Sequence, residues 1–173
     1  METNFAHLLL GKDLRTVRKN NGVINAVHDQ AAFDELFSLI FHHERTLVMR
    51  AVDAVEKVTI AHPEYLSSHR HQLLAILKGA DHKELKWHIA QLITRIELEP
   101  KEISDVWHTL SYWTLNRNES KIVRVNSLQG LFDLMNKTPG LRREFESIME
   151  SIEAEPVPSL QARIRKLRRL MGR

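Results

Sequence analysis

The stretch that decides the fold runs from Pro100 to Lys137 and reads PKEISDVWHTLSYWTLNRNESKIVRVNSLQGLFDLMNK. It contains two apolar patterns of helical spacing, separated by the turn sequence Asn-Arg-Asn at residues 116–118. Pro100 stands where a first helical residue belongs, since its missing amide hydrogen is not needed there. Ser120 is suited to cap the second helix. The stretch therefore predicts two antiparallel helices joined by a short turn.

The same kind of helix start recurs along the chain at nearly even intervals. The predicted starts, in which prolines alternate with capping side chains, are Thr46, Pro63, Asp81, Pro100, Ser120, Pro139 and Ser159. Successive starts are 17 to 20 residues apart, so a pair of helices repeats every 35 to 39 residues. A constant period of this length is typical of stacked helical hairpins.

Local signals add detail around the third start. Asp81 and Glu84 have the spacing of a capping box, in which each side chain bonds the other's backbone. Gly79 stands just before them and predicts a left-handed helix end. Both signals favour a break between two helices at this point.

Small residues in the second helices keep the same period as the helix starts. Ala54, Ala90 and Ser127 are 36 and 37 residues apart. Pro63 to Ala90 and Pro100 to Ser127 are both 27 residues. Two markers of different chemistry thus stay in phase, which predicts close helix contacts at the small residues.

With this period and the stretch Val123-Arg124-x-x-Ser127-Leu128, the chain resembles HEAT repeats, relatives of armadillo repeats. The resemblance covers Ala31 to Met171. It implies an all-α, right-handed superhelix of stacked antiparallel hairpins with about nine or ten helices. We expect one domain over residues 1–173, with irregular N-terminal helices in residues 1–30 and about four hairpins in residues 31–171.

Composition narrows the class of protein. The chain has 173 residues, a net charge of +3 and no cysteine, which excludes disulfides, thiolate zinc sites and a cysteine nucleophile. The N-terminal apolar stretch is too short for a signal peptide, and no apolar run reaches the roughly 18 residues of a membrane span. We expect a cytoplasmic protein.

Arrays of this kind usually bind other macromolecules, and the sequence carries no catalytic motif. We therefore expect a non-enzymatic scaffold with no cofactor, no metal and no small-molecule substrate. The resemblance implies that second helices line a concave face that binds a protein partner. The candidate contacts are Arg50, Lys86, Arg124 and Arg163, which would form a ladder of positive charge, although a solvated helix face is the simpler interpretation.

Two other functions stay open at this stage. The basic ladder could bind nucleic acid together with a basic C-terminal helix. That helix could also contact an anionic membrane, or it could simply cap the last repeat. The basic residues of that helix are Arg163, Arg165, Lys166, Arg168, Arg169 and Arg173. The less favoured of these two functions is that of a DNA glycosylase. Glycosylases built on HEAT-like repeats use tryptophans and a catalytic Asp, and Asp105, two residues before Trp107, would be the candidate here.

The remaining candidates are aromatic residues and histidines. Trp87, Trp107 and Trp113 could line a groove, although apolar patterns around the last two favour the core. The histidine groups could bind a metal, but their spacing does not converge and we expect ordinary surface or core positions. The histidines concerned are His42, His43, His69, His71, His82 and His88.

Overall fold

The computed structural model describes residues 5–10 and 22–172 of the chain. Across these ranges the secondary structure is helical and contains no strand, so the predicted all-α helical-repeat class is confirmed. The principal α-helices are α1 (Phe5–Leu10), α2 (Gln30–Ser38), α3 (Arg45–Ala61), α4 (Arg70–Gly79), α5 (Lys83–Leu92), α6 (Pro100–Leu115), α7 (Lys121–Lys137), α8 (Arg142–Glu153) and α9 (Pro158–Leu170).

The chain divides into two compact units, residues 1–69 and residues 70–173. The first unit contains the hairpin of α2 and α3, and α1 packs against both helices. Its core is apolar and rich in aromatic rings, with Phe33, Phe37 and Leu47 fully buried. Asp29 caps α2 by accepting a hydrogen bond from the Ala32 amide at 2.8 Å.

The second unit contains three hairpins, formed by α4 with α5, α6 with α7, and α8 with α9. The first helices α4, α6 and α8 are neighbours in one layer, and the second helices α5, α7 and α9 are neighbours in the other. Each hairpin thus buries its apolar faces against the next, as the period predicts. The single-domain prediction for residues 1–173 stays a prediction.

Helix α7 is the centre of the second unit because it packs against α5, α6, α8 and α9. Ala90, at the crossing of α5 and α7, and Ser127 are fully buried, as is Ala54 in the first unit. At Gly130, a side-chain carbon would lie 2.6 Å from the Ala90 carbonyl oxygen. Glycine is therefore required on α7 where the backbone of α5 comes closest.

Several predicted helix starts are confirmed by the structure. Pro100 is the first residue of α6, and Ser120 caps α7 by accepting a hydrogen bond from the Val123 amide. Pro63 and Pro139 begin the 3-10 segments Pro63–His69 and Pro139–Leu141, which lead into α4 and α8. Proline fits these tight entry turns for two reasons. Its fixed φ is already close to the helical value, and the amide hydrogen that it lacks would have no hydrogen-bond partner at a helix start.

Other local predictions are wrong by one or two residues. Helix α3 begins at Arg45 rather than Thr46, and α9 begins at Pro158, so Ser159 does not cap it. Proline's preorganised φ explains the second case, because Pro158 can itself take the first helical position.

The predicted capping box at Asp81 and Glu84 is not formed. Helix α5 starts at Lys83 after His82, so the two carboxylates do not occupy the cap and third positions. The interaction occurs instead at the start of α6, where the Glu102 carboxylate accepts a hydrogen bond from the Glu99 amide at 2.8 Å. Gly79 is the last residue of α4 and has no positive φ, so the predicted left-handed end is also wrong.

The N-terminal predictions are tested only in part. The short helix expected at residues 4–10 corresponds to α1, Phe5–Leu10. Of the segment expected to be helical over residues 13–28, residues 22–26 are helical and residues 13–21 lie outside the described residues.

Candidate partner-binding site

A groove runs along the outer surface of the first-helix layer, between α6 and α8. It has a volume of about 420 Å³. Its lining residues are Ser104, Trp107, His108, Ser111, Glu144, Ser147 and Ile148. Trp107 is only 8% exposed, so its ring is mostly core and presents one edge to the groove. We call this cavity, with the extension described next, the α6–α8 groove.

The groove continues along α6 into a more apolar section. This section has a volume of about 490 Å³, shares His108 and Ser111 with the first, and adds Tyr112, Leu115 and Asn116. Tyr112 is 61% exposed and Leu115 is 42% exposed. Exposed rings and aliphatic groups beside a cavity are typical of binding surfaces, because covering them removes apolar area from water.

The local sequence explains why a trough forms here. Residues 104, 108, 111 and 115 recur at intervals of three and four, so they lie on one stripe of α6. Three of these side chains are polar, and the serines are too small to fill the space towards α8. Ser147 is similarly small on the facing helix. Small side chains on both helices therefore leave the layer open along its surface.

Two polar groups give the groove directionality. The Ser111 hydroxyl is buried and has no hydrogen-bond partner among the described residues. A buried hydroxyl of this kind costs free energy until it finds a partner. Glu144 is exposed at the other helix and brings a negative charge to the same cavity. The groove thus offers serine hydroxyls, one carboxylate and an apolar end.

The four predicted contact residues all have partners inside the protein. In the first unit, the Arg50 guanidinium donates a hydrogen bond to the Leu9 carbonyl and so joins α3 to α1. In the second unit, the Lys86 ammonium forms an ion pair with Glu119 and lies 5.5 Å from the centre of the Trp113 ring. Both contacts hold helices together.

Arg124 is the most deeply buried of the four, with 2% of its surface exposed. Its two terminal nitrogens donate to the Glu155 carboxylate at 2.9 and 3.1 Å, and its Nε donates to the Thr114 carbonyl at 2.8 Å. Glu155 lies in the turn between α8 and α9. The ion pair therefore joins α6, α7 and the turn between α8 and α9.

Arg163 lies on α9 and donates a hydrogen bond to the Gln129 side chain on α7. Burial lowers the pKa of Arg163, which Asp133 partly offsets, and burial raises the pKa of Asp133. This cluster is thus partly shielded from water. Binding of a partner by Arg50, Lys86, Arg124 and Arg163 stays a prediction, and the structure supplies each side chain with a structural role.

The Arg124 ion pair makes the stability depend on pH in a defined way. Arg124 holds the pKa of Glu155 below its ordinary value of 4.5. A lowered pKa means that the folded state favours the carboxylate, so the stabilisation is complete above pH 4.5 and is lost as the pH falls towards the folded value.

We therefore expect the Glu155→Gln variant to be less stable than the natural chain at pH 7, with a difference that shrinks below pH 4.5. Denaturant unfolding of both proteins between pH 7 and pH 3.5 measures this difference. The pKa of Glu64 and of Glu102 is also lowered, but both groups are present in both proteins and cancel. A difference that is constant across the range would contradict the assignment to Glu155.

The tryptophans and Asp105, which the sequence also suggested as candidates, lie in the core or on the surface of the helices. Trp107 and Trp113 are buried, as the core interpretation predicts, and Trp87 is half-buried on α5. Asp105 is exposed on α6 and does not line the groove. In residues 5–10 and 22–172, no group of three His, Cys, Asp or Glu side chains is placed to hold a metal ion.

Comparison with known families agrees with the two-layered hairpins. The profile of the HEAT repeat domain matches residues 13–171, which is most of the chain. The chain belongs to the HEAT repeat family. HEAT repeats are generally non-enzymatic scaffolds that mediate protein interactions. No match is found among curated proteins or among solved structures. Within the described HEAT hairpins and the helices before them, none is long and apolar enough to cross a membrane.

Of the groove residues of this HEAT chain, sequence reasoning named Trp107 and missed the others. His108, Ser111 and Glu144 belong to no motif, and a serine in a helix carries no signal of its own. Tyr112 and Leu115 could have been noticed, because they continue the stripe of residues 104, 108 and 111 rather than the buried pattern of α6. Only the packing of α8 beside that stripe turns it into a cavity.

Proposed function

We propose that this HEAT protein is a cytoplasmic, non-enzymatic scaffold that binds a short segment of a protein partner in the α6–α8 groove. The observation that carries the proposal is the groove itself, with exposed Tyr112 and Leu115 at one end. The basic residues predicted for the concave face support it less, because each already has an intramolecular contact.

The dimensions of the groove fit a peptide in extended conformation. From Ser104 to Leu115 the helix rises by about 17 Å at 1.5 Å per residue. That length accommodates about five extended residues at roughly 3.3 Å each. The occupant is therefore a short linear segment rather than a folded domain.

The lining chemistry describes the segment further. The Ser111 hydroxyl has no partner in the described part of the chain, and rotation of this side chain towards the groove would let it donate a hydrogen bond to a main-chain carbonyl of the segment. A Lys or Arg near Glu144 would complement its charge. An aromatic or aliphatic side chain would cover Tyr112 and Leu115. We thus propose an extended segment with a basic residue at one end and an apolar residue at the other.

Selection from a displayed library of random short peptides tests this proposal. The natural chain is expected to enrich peptides that combine a basic and an apolar residue. Binding of synthesised winners, followed by fluorescence anisotropy, should weaken by about tenfold or more in the double variant Tyr112→Ser/Leu115→Ser, equivalent to about 1.4 kcal/mol. Glu144→Lys should lower the affinity for peptides that contain a basic residue more than the affinity for other peptides.

The matched control is Ile122→Ser. Ile122 is an exposed apolar side chain of the same unit that lies on α7, in the other helix layer. Its replacement is expected to leave peptide affinity unchanged. Failure to enrich any peptide, or affinity that depends on Ile122 and not on Tyr112 and Leu115, would overturn the groove proposal.

A further inference from the structure

The most strongly charged surface in the described residues lies on the last helix. Between Pro158 and Leu170, α9 contains five basic residues and no acidic residue. Two of these cations have partners: Arg163 bonds Gln129, and Arg168 forms an ion pair with Glu153 at 2.6 Å. The partnered side chains therefore hold α9 against α7 and α8.

The other three cations are left to the solvent. Arg165, Lys166 and Arg169 are exposed, and no hydrogen bond or ion pair to any of them occurs within residues 5–10 and 22–172. Positions 165, 166 and 169 lie on one side of the helix, because residue 169 is four residues from 165 and three from 166. Ala162 is exposed one turn earlier and adds no bulk to that side. We call these three cations the α9 basic stripe.

The spacing of the stripe suits a phosphate backbone. Arg165 and Arg169 are about 6 Å apart along the helix axis, close to the roughly 7 Å that separates alternate phosphates of one strand when their positions are projected on the axis of duplex DNA. Each guanidinium can bind a phosphate through two parallel hydrogen bonds, and Lys166 adds a point charge beside them.

The buried side of α9 argues against insertion into a membrane. A helix that lies in a membrane surface needs a free apolar face. Leu160, Ile164 and Leu167 are almost fully buried in the protein's own core, so most of that face of α9 is occupied, although Leu170 at the end of the helix is exposed. We propose that the α9 basic stripe binds the phosphate backbone of nucleic acid without regard to base sequence. This activity is separate from peptide binding in the α6–α8 groove.

Fluorescence anisotropy of the full chain with a labelled duplex of about 20 base pairs, two helical turns, tests the proposal. Release of counterions from three phosphates predicts a slope of about −2.7 in a plot of log affinity against log salt. Affinity should therefore fall about 40-fold between 50 and 200 mM salt. The triple variant Arg165→Gln/Lys166→Gln/Arg169→Gln should lose at least about tenfold in affinity and most of the slope.

A second triple variant controls for net charge. Lys101, Lys121 and Arg143 are exposed cations of the same unit outside α9, and changing all three to Gln removes the same charge. Retained duplex binding in this variant supports the proposal. An equal loss in both variants, or no binding by the natural chain, would overturn it. Binding to vesicles of equal parts phosphatidylcholine and phosphatidylserine is measured in the same way. If the α9 substitutions weaken vesicle binding but not duplex binding, the stripe is a lipid site and the proposal is overturned. Thermal unfolding of each variant confirms that it is folded.

Discussion

Replacement of Arg124 by Ala is expected to lower the free energy of unfolding by about 3–5 kcal/mol. The change would leave the buried Glu155 carboxylate without its two strongest hydrogen bonds and would open a cavity between α7 and the last turn. It would also remove the donor to the Thr114 carbonyl. Denaturant unfolding at pH 7, where Glu155 is charged, gives the value directly.

Arg117 provides a matched control on the same carboxylate. Its guanidinium lies 3.3 Å from Glu155, but its side chain is 77% exposed. Exposed ion pairs contribute between zero and about 1 kcal/mol, so Arg117→Ala should have a small effect. Similar losses in Arg117→Ala and Arg124→Ala would show that burial does not set the strength of this ion pair.

Replacement of Gly130 by Ala is expected to destabilise the protein by about 1–3 kcal/mol, although alanine is the better helix former. The new methyl group would lie 2.6 Å from the Ala90 carbonyl oxygen and 3.0 Å from a Leu110 methyl group. The first contact is to backbone, so α5 and α7 must move apart to relieve it. Thermal and denaturant unfolding measure the loss.

Gly79→Ala is the control for this substitution. Gly79 also lies in a helix of the second unit, but a side-chain carbon there meets no atom within 4 Å. Its replacement should be neutral or stabilising by up to about 1 kcal/mol, since it reduces the freedom of the unfolded chain. Stabilisation by Gly130→Ala of the same size would mean that α5 and α7 are not in close contact.

The architecture could be predicted from the sequence because it depends on signals that repeat. The starts at Pro100 and Ser120 are each defined by one side chain acting on its own helix, and both are confirmed. The signals around Asp81 failed because a cap depends on where the helix actually begins, and α5 begins at Lys83. The repeat period therefore predicts which segments form hairpins, but it does not predict the residues at which the helices begin and end.

The candidate site could not be predicted in the same way. Arg124 has the charge expected of a binding residue, and only the fold reveals that Glu155, 31 residues later, neutralises it in the core. Glu155 stands in a proline-rich turn where nothing in the sequence marks it as a partner. Conversely, the α6–α8 groove is formed by serines whose importance comes from what packs beside them. Both features depend on which side chains of neighbouring hairpins come into contact. The sequence of one repeat does not predict those contacts.

The central position of α7 also has a consequence for amide hydrogen exchange. In a simple stack, each hairpin touches only its neighbours, and an end hairpin can open alone. Helix α7 belongs to the middle hairpin of its unit and contacts both neighbouring hairpins, and its backbone comes close to that of α5 at Gly130. Opening that frees the α7 amides must disturb the hairpins on both sides, so these amides should exchange through the global unfolding of residues 70–172.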